Sequence, residues 1–127
     1  MGVWGRGNFD GDTAADHLGE VMRRLLDEVE AAMAGDPVEL EPDEYWGAAV
    51  PCNLELLTMI ARQDHVGTVL PSPEVAAAWK ETYLRVWDAT IDDLGPKEGF
   101  KEGRRAVLVA TFDEFAEEAA KHANPDS

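Results

Sequence analysis

The chain is 127 residues long, enough for one domain with its own core, and its 45% apolar content excludes wholesale disorder. Its 26 acidic and 11 basic side chains leave a formal net charge of -15, which repels nucleic-acid phosphate and anionic membrane and attracts basic proteins and cations. The single cysteine, Cys52, excludes an intrachain disulfide and a thiolate metal cluster, and fits a reducing cytoplasm.

Residues 1–11 form a Gly-rich leader, with Gly2, Gly5, Gly7 and Gly11 placed around Trp4 and Phe9. Arg6 stands where an N-myristoylation signal needs Ser or Thr. No basic region followed by an apolar stretch marks a signal peptide. From Ala14 to Met33 apolar residues recur at steps of three and four (Leu18, Val21, Met22, Leu25, Leu26, Val29), which predicts an amphipathic helix. Asp10 or Asp12 is expected to cap it, and Gly35 with Pro37 to stop it. Gly19 in its interior costs about 1 kcal/mol relative to alanine, so a neighbouring element, the leader being one candidate, is expected to approach closely there.

Asp36, Glu39, Glu41, Asp43 and Glu44 fall in a stretch without a basic residue, read as a solvated loop. It runs into a second helix, with Pro42 in the first turn. Pro51 removes a backbone donor and collides with the carbonyl of Gly47, so that helix either kinks or is two short helices with Asn53 capping the second. Leu54, Leu57 and Ala61, with Leu56 and Ile60 alongside, carry its apolar face. Ser72 and Pro73 predict the start of a third helix and Gly95-Pro96 its end, with an apolar stripe of Val75, Trp79, Tyr83, Trp87, Ile91 and Leu94. After a connector over 97–103, a last helix is expected from about Arg104 to His122, although Val107-Leu108-Val109 also suits a short strand. The longest strongly apolar run, Ala106 to Ala110, is far short of a membrane span.

The fold expected is all-α: a small antiparallel or orthogonal bundle of four to five helices, one domain over residues 1–123. The leader is expected to be ordered on the core, and residues 124–127 to be a frayed tail.

The leader Trp4-Gly5-Arg6-Gly7-Asn8-Phe9-Asp10-Gly11-Asp12, followed by Ala14-Ala15-Asp16, resembles the opening of the bacterial family catalogued as domain of unknown function 4259. Members of that family begin with Trp-Gly-x-Gly-x-Phe-Asp-Asn-Asp running into a helix. The resemblance is specific over residues 2–18, where Gly11 replaces the usual Asn and His17 a common aromatic. It implies a bacterial helical protein and carries no activity, because the family has none assigned.

Asp10, Asp12, Asp16 and His17 are weak candidates for a divalent-ion site, since hard cations need several converging oxygens. An EF-hand loop starting at Asn8 would place Thr13 where glycine is required and Gly19 where the bidentate glutamate is required. The favoured reading is structural: Trp4 and Phe9 plug the core, Gly5 and Gly7 permit tight turns, and an aspartate caps the helix. Gly5-x-Gly7 is no dinucleotide fingerprint, because Asp10 holds the third glycine position and no strand precedes it. No histidine pair suits a metal and no nucleophile elbow occurs, so no cofactor is expected. Cys52 is read as a small buried residue, and the Trp79–Tyr83–Trp87 stripe as core. Lys97, Lys101, Arg104 and Arg105 are read as offsetting nearby acids.

Tyr45 and Trp46, beside the acidic loop, combine aromatic surface with carboxylates as a grip on a basic protein requires, though packing also accounts for them. The leading expectation is therefore a non-enzymatic interaction module with a basic partner, such as an immunity-type inhibitor. The alternatives are a structural or regulatory homo-oligomer and a divalent-metal-binding domain.

Overall fold

The computed structural model describes residues 2–123, so the expected tail at 124–127 lies outside the described residues. Four helices account for most of them: α1 (Asp12–Met33), α2 (Tyr45–Arg62), α3 (Pro73–Thr90) and α4 (Phe100–Ala123), with one 3-10 turn, Ile91–Leu94, extending α3. The protein is thus an all-α bundle. Helix α4 packs on both α2 and α3, and α1 packs mainly on α2. No helix among the described residues is long and apolar enough to cross a membrane.

Each helix buries one stripe. In α1 the buried residues include Ala15, Leu18, Met22, Leu26 and Val29, the three- and four-residue steps of a helix with one apolar face. Its start differs from expectation: Gly11 holds the capping position and no side chain caps the helix. Asp12 is instead the first helical residue, where its charge favours the amino end. Gly19 is approached by the segment after α2 rather than by the leader. A Cβ at Gly19 would sit 3.3 Å from the Gly67 carbonyl oxygen and 3.6 Å from Val69 Cγ2. Gly67 in turn has φ of +100° and faces the Ala15 carbonyl, into which any side chain would run. Two helix-breaking residues are therefore retained because they let two backbones touch.

Helix α2 is one continuous element through Pro51, and no second helix begins at Asn53. The Asn53 amide instead reaches α1, donating to the Leu25 carbonyl at 3.2 Å and to Glu28 Oε1 at 2.9 Å. Pro42 lies in the turn before the helix, closed by Glu44 N–H donating to the Glu41 carbonyl at 2.9 Å; proline suits such a turn because its φ is preset. Val50, Pro51, Leu54, Leu57 and Ala61 face the core. Cys52 and Leu56 fall on the opposite side, and both are exposed, contrary to expectation. With Pro51 on the buried stripe, the next residue turns by about 100° away from it.

The missing amide of Pro51 leaves the Gly47 carbonyl without its helical donor. The hydroxyl of Tyr83, projecting from α3, donates to that carbonyl and completes it. Gly47 also admits the preceding loop: a Cβ there would lie 2.8 Å from the Leu40 carbonyl oxygen and collide with the Glu41 carbonyl.

Helix α3 starts as expected, with Ser72 Oγ accepting from Val75 N–H at 3.3 Å and Pro73 in its first turn. It ends through the 3-10 turn into Gly95, whose φ is 59°. Trp79, Tyr83, Trp87 and Ile91 are core, but the ends of the predicted stripe, Val75 and Leu94, are exposed. Trp79 stacks on Phe115 at 6.0 Å between ring centres and Tyr83 leans on Phe112 at 5.3 Å, which seats α4 on α3. Helix α4 begins at Phe100, four residues before the expected start, and passes through 106–110 as helix rather than strand.

Two outcomes are expected. Tyr83→Phe strands the Gly47 carbonyl and should cost about 1–3 kcal/mol in urea unfolding. In a Pro51→Ala background an amide returns to serve that carbonyl, and the cost of Tyr83→Phe should drop below about 1 kcal/mol; equal costs in both backgrounds would break the link. Burial also pushes the Tyr83 phenol up to about 12, against the opposing pull of Arg104. A raised acid favours the fold while it is neutral. Its contribution is therefore complete below the unfolded value of 10.0 and disappears as pH rises through about 12. Alkaline denaturation followed with tyrosinate absorbance should show unfolding coupled to this ionisation, and Tyr83→Phe should remove the coupling.

Candidate functional site

The leader folds into a small closed loop. Val3 and Gly11 form an isolated antiparallel bridge, and Trp4 N–H donates to the Asp10 carbonyl at 2.8 Å. The Asp10 carboxylate turns inward and accepts from Gly7 N–H at 2.9 Å. Side chains at Gly5 or Gly7 would sit 2.7 and 2.8 Å from that carboxylate oxygen, so the two glycines and Asp10 make one steric unit. Phe9 is half-buried, with its ring 4.8 Å from that of His65. Trp4 does not plug the core as expected; it is 48% exposed. Its backbone closes the loop while its indole is left at the surface.

Asp12, Asp16 and His17 are exposed on the first turns of α1, and only His17 shares the hollow beside Asp10. Among the described residues no group of three or more His, Cys, Asp or Glu side chains is placed to hold a metal ion.

The acidic loop is organised more tightly than a solvated connector. Leu40 is completely buried, while Asp36, Glu39, Asp43 and Glu44 point outward around it. Tyr45 is 73% exposed, and Trp46 is half-buried against the core with its ring edge-on to Tyr45 at 4.9 Å. Trp46 borders a groove of about 390 Å³ between the second half of α1 and the loop. Ala32, Pro37 and Trp46 supply its apolar lining, and Asp27, Glu28 and Glu39 its carboxylates. The structure thus brings Glu39 and Trp46 together with two acids of α1 that sequence reasoning did not select. Their spacing from the loop, about ten residues, carries no local signal of contact.

Charge is distributed unevenly around this groove. Residues 1–44 hold twelve acidic and three basic side chains, a net charge of -9. None of these takes part in an ion pair among the described residues; the five pairs present all lie between Arg62 and Lys121. The pairs Lys101–Asp92 at 2.9 Å and Arg105–Asp88 at 2.8 Å meet the expectation of acid-offsetting for half of the basic cluster, whereas Lys97 and Arg104 form no ion pair among the described residues. The hydrogen bond from Arg105 lowers the Asp88 pKa despite some desolvation.

Two acids were missed as structural anomalies. Glu118 is 4% exposed on the core-facing stripe of α4, matched by Lys121 at 2.9 Å. Its spacing of seven from Thr111 and three from Phe115 was a readable signal. Glu41, expected to be solvated with the other acids of the partner-binding loop, instead has one carboxylate oxygen buried with no hydrogen-bond partner among the described residues.

No protein-family model, curated protein or solved structure matches this chain. The class defined by the fold is a small all-α bundle whose net negative charge falls mostly in residues 1–44.

An unsatisfied buried oxygen costs about 1–3 kcal/mol, whereas an apolar group of similar shape avoids that cost. Glu41→Met should therefore leave stability unchanged or raise it by about 1 kcal/mol in urea unfolding. A loss of stability would mean that Glu41 has a favourable role in the fold.

Proposed function

We propose that this protein is a non-enzymatic interaction module that takes a basic segment of a partner protein into the groove beside Trp46. The observation that carries this reading is the pairing of an indole and apolar lining with Asp27, Glu28 and Glu39, none of which forms an ion pair among the described residues, although Glu28 also accepts from Asn53. A lysine or arginine stem lies well against an aromatic face while its charge meets carboxylates. The net charge of -15 steers a basic partner towards the module from a distance. An immunity-type inhibitor of a basic protein is one form such a module takes. A cytoplasmic setting and kinship with the family of domain of unknown function 4259 are further proposals, the second resting on the leader residues alone.

A second reading, self-association, is favoured by one observation: Cys52, Leu56 and Met59 share an outward face of α2 and are all exposed. Light scattering at micromolar concentration would return a dimer or larger species under that reading.

The test is titration with an oligo-arginine peptide at low salt, followed by tryptophan fluorescence. Saturable binding is expected, weakening steeply with added salt. The pair Asp27→Lys and Glu39→Lys should weaken it about tenfold or more, and Trp46→Ala should remove the fluorescence response. Glu74→Lys with Glu81→Lys makes the same charge change on α3 and should cost only a few-fold through the general field. Equal losses from both pairs, or no saturable binding, would overturn the groove as the site.

A further inference from the structure

At the opposite end of α2 from Arg62, the core stops short of closing. The stripe that α4 turns towards its neighbours runs Leu108, Thr111, Phe115, and one and two turns earlier the same stripe reaches Arg104 and Phe100. Phe100 is left exposed there and Arg104 half-buried. They border a cavity of about 280 Å³ whose walls include Tyr83 and Trp87 of α3 and Ile91 and Leu94 of the 3-10 turn. Phe100 and Leu94, 54% and 47% exposed, stand at its edge.

Arg104 is out of place in this apolar setting. It is half-buried, and no acidic side chain among the described residues lies within ion-pair distance of it. Two of its basic neighbours are paired, Lys101 with Asp92 and Arg105 with Asp88, and Lys97 is exposed. The other arginines without an ion pair among the described residues, Arg6, Arg23, Arg24 and Arg85, are exposed. In a chain with more than twice as many acids as bases, Arg104 is the one cation lining this cavity and has no carboxylate within ion-pair distance among the described residues, which leaves its guanidinium free to meet an anion there. The polar groups beside it offer none. The Tyr83 hydroxyl donates to the Gly47 carbonyl and, being neutral, supplies no counter-charge. The nearness of the Arg104 charge also registers on that phenol, whose ionisation it favours against burial.

We propose that this cavity binds a small apolar monocarboxylate, its body against Trp87, Ile91 and Leu94 and its carboxylate held by Arg104. A guanidinium fork matches a carboxylate through two parallel hydrogen bonds. At about 30 Å³ per water-sized unit, the cavity takes a ligand of about ten non-hydrogen atoms, the size of octanoate or phenylacetate. A single negative charge is favoured over a dianion such as a phosphate monoester, because the whole chain repels anions and only one cation lines the cavity.

The experiment is calorimetric titration of the whole protein with octanoate, phenylacetate and octan-1-ol, with the Trp87 indole N–H followed by NMR. Octanoate or phenylacetate should bind at one site with Kd below about 1 mM and shift that signal. Octan-1-ol should bind about tenfold more weakly or worse. Arg104→Gln should reduce the carboxylates to the octan-1-ol level, and Arg104→Lys should retain part of the difference. Because it removes an unpaired charge, Arg104→Gln should fold at least as stably as the parent protein. Ala48→Phe, placed at the cavity wall, should block all three ligands. Absence of saturable binding by both carboxylates would overturn the proposal. So would carboxylate binding that is unchanged in Arg104→Gln or equal to that of the alcohol.

Discussion

Proline in the middle of a helix leaves one carbonyl without a donor, and here that carbonyl belongs to a glycine which the preceding loop presses against. Helix α2 runs unbroken through Pro51 because α3 supplies the missing donor from Tyr83. The phenol can do this only if α3 is seated deep enough to bury it, and its ring is held there by Phe112 of α4. One hydrogen bond therefore joins α2 and α3, with α4 behind it. The absent side chain at Gly47 joins the loop through Leu40 to the same point. Both candidate sites depend on this junction. Trp46, the residue before Gly47, is aimed into the acidic groove, and Gly47 and Tyr83 themselves line the cavity beside Arg104.

Stability and charge are handled by different parts of the molecule. The ion pairs are mostly exposed and tie α4 to α2, α3 and the 3-10 turn; pairs of that kind contribute little each. The fold rests on buried aromatic and aliphatic side chains, among them Trp87, Phe112, Phe115, Met22 and Leu54. The acids of α1 and the 36–44 loop are thereby left unneutralised, and the same imbalance that repels phosphate makes that face attractive to a cation. Basic residues gather on α4 instead, where all but Arg104 of the 101–105 cluster find acidic partners.

The helix stripes were legible because helical periodicity is a property of each segment taken alone. The buried residues of α1, the Ser72-Pro73 start of α3 and its Trp79–Tyr83–Trp87 face were all open to that reading. The Gly5, Gly7 and Asp10 pattern was visible as a motif, but the inward carboxylate that requires both glycines was not. Trp4 and Cys52 were misjudged for one reason: residue type suggests burial, yet the direction of the chain decides it. Trp4 lies on a loop closed through its backbone, and Cys52 follows a buried proline on the outer side of a helix.

By itself the sequence determined the all-α class, most of the apolar stripe of each helix, the acidity and the absence of familiar catalytic motifs, all of which are local or compositional. The helix count of four to five and the state of 107–109 stayed open. Only the tertiary structure decided which groups meet across the chain. It matched the Gly47 carbonyl to Tyr83, set Gly19 against Gly67, brought Asp27 and Glu28 to Glu39 and Trp46, and left Arg104 without an acidic partner among the described residues. Those contacts depend on how helices cross and how far loops reach, and no repeat within a single segment encodes either.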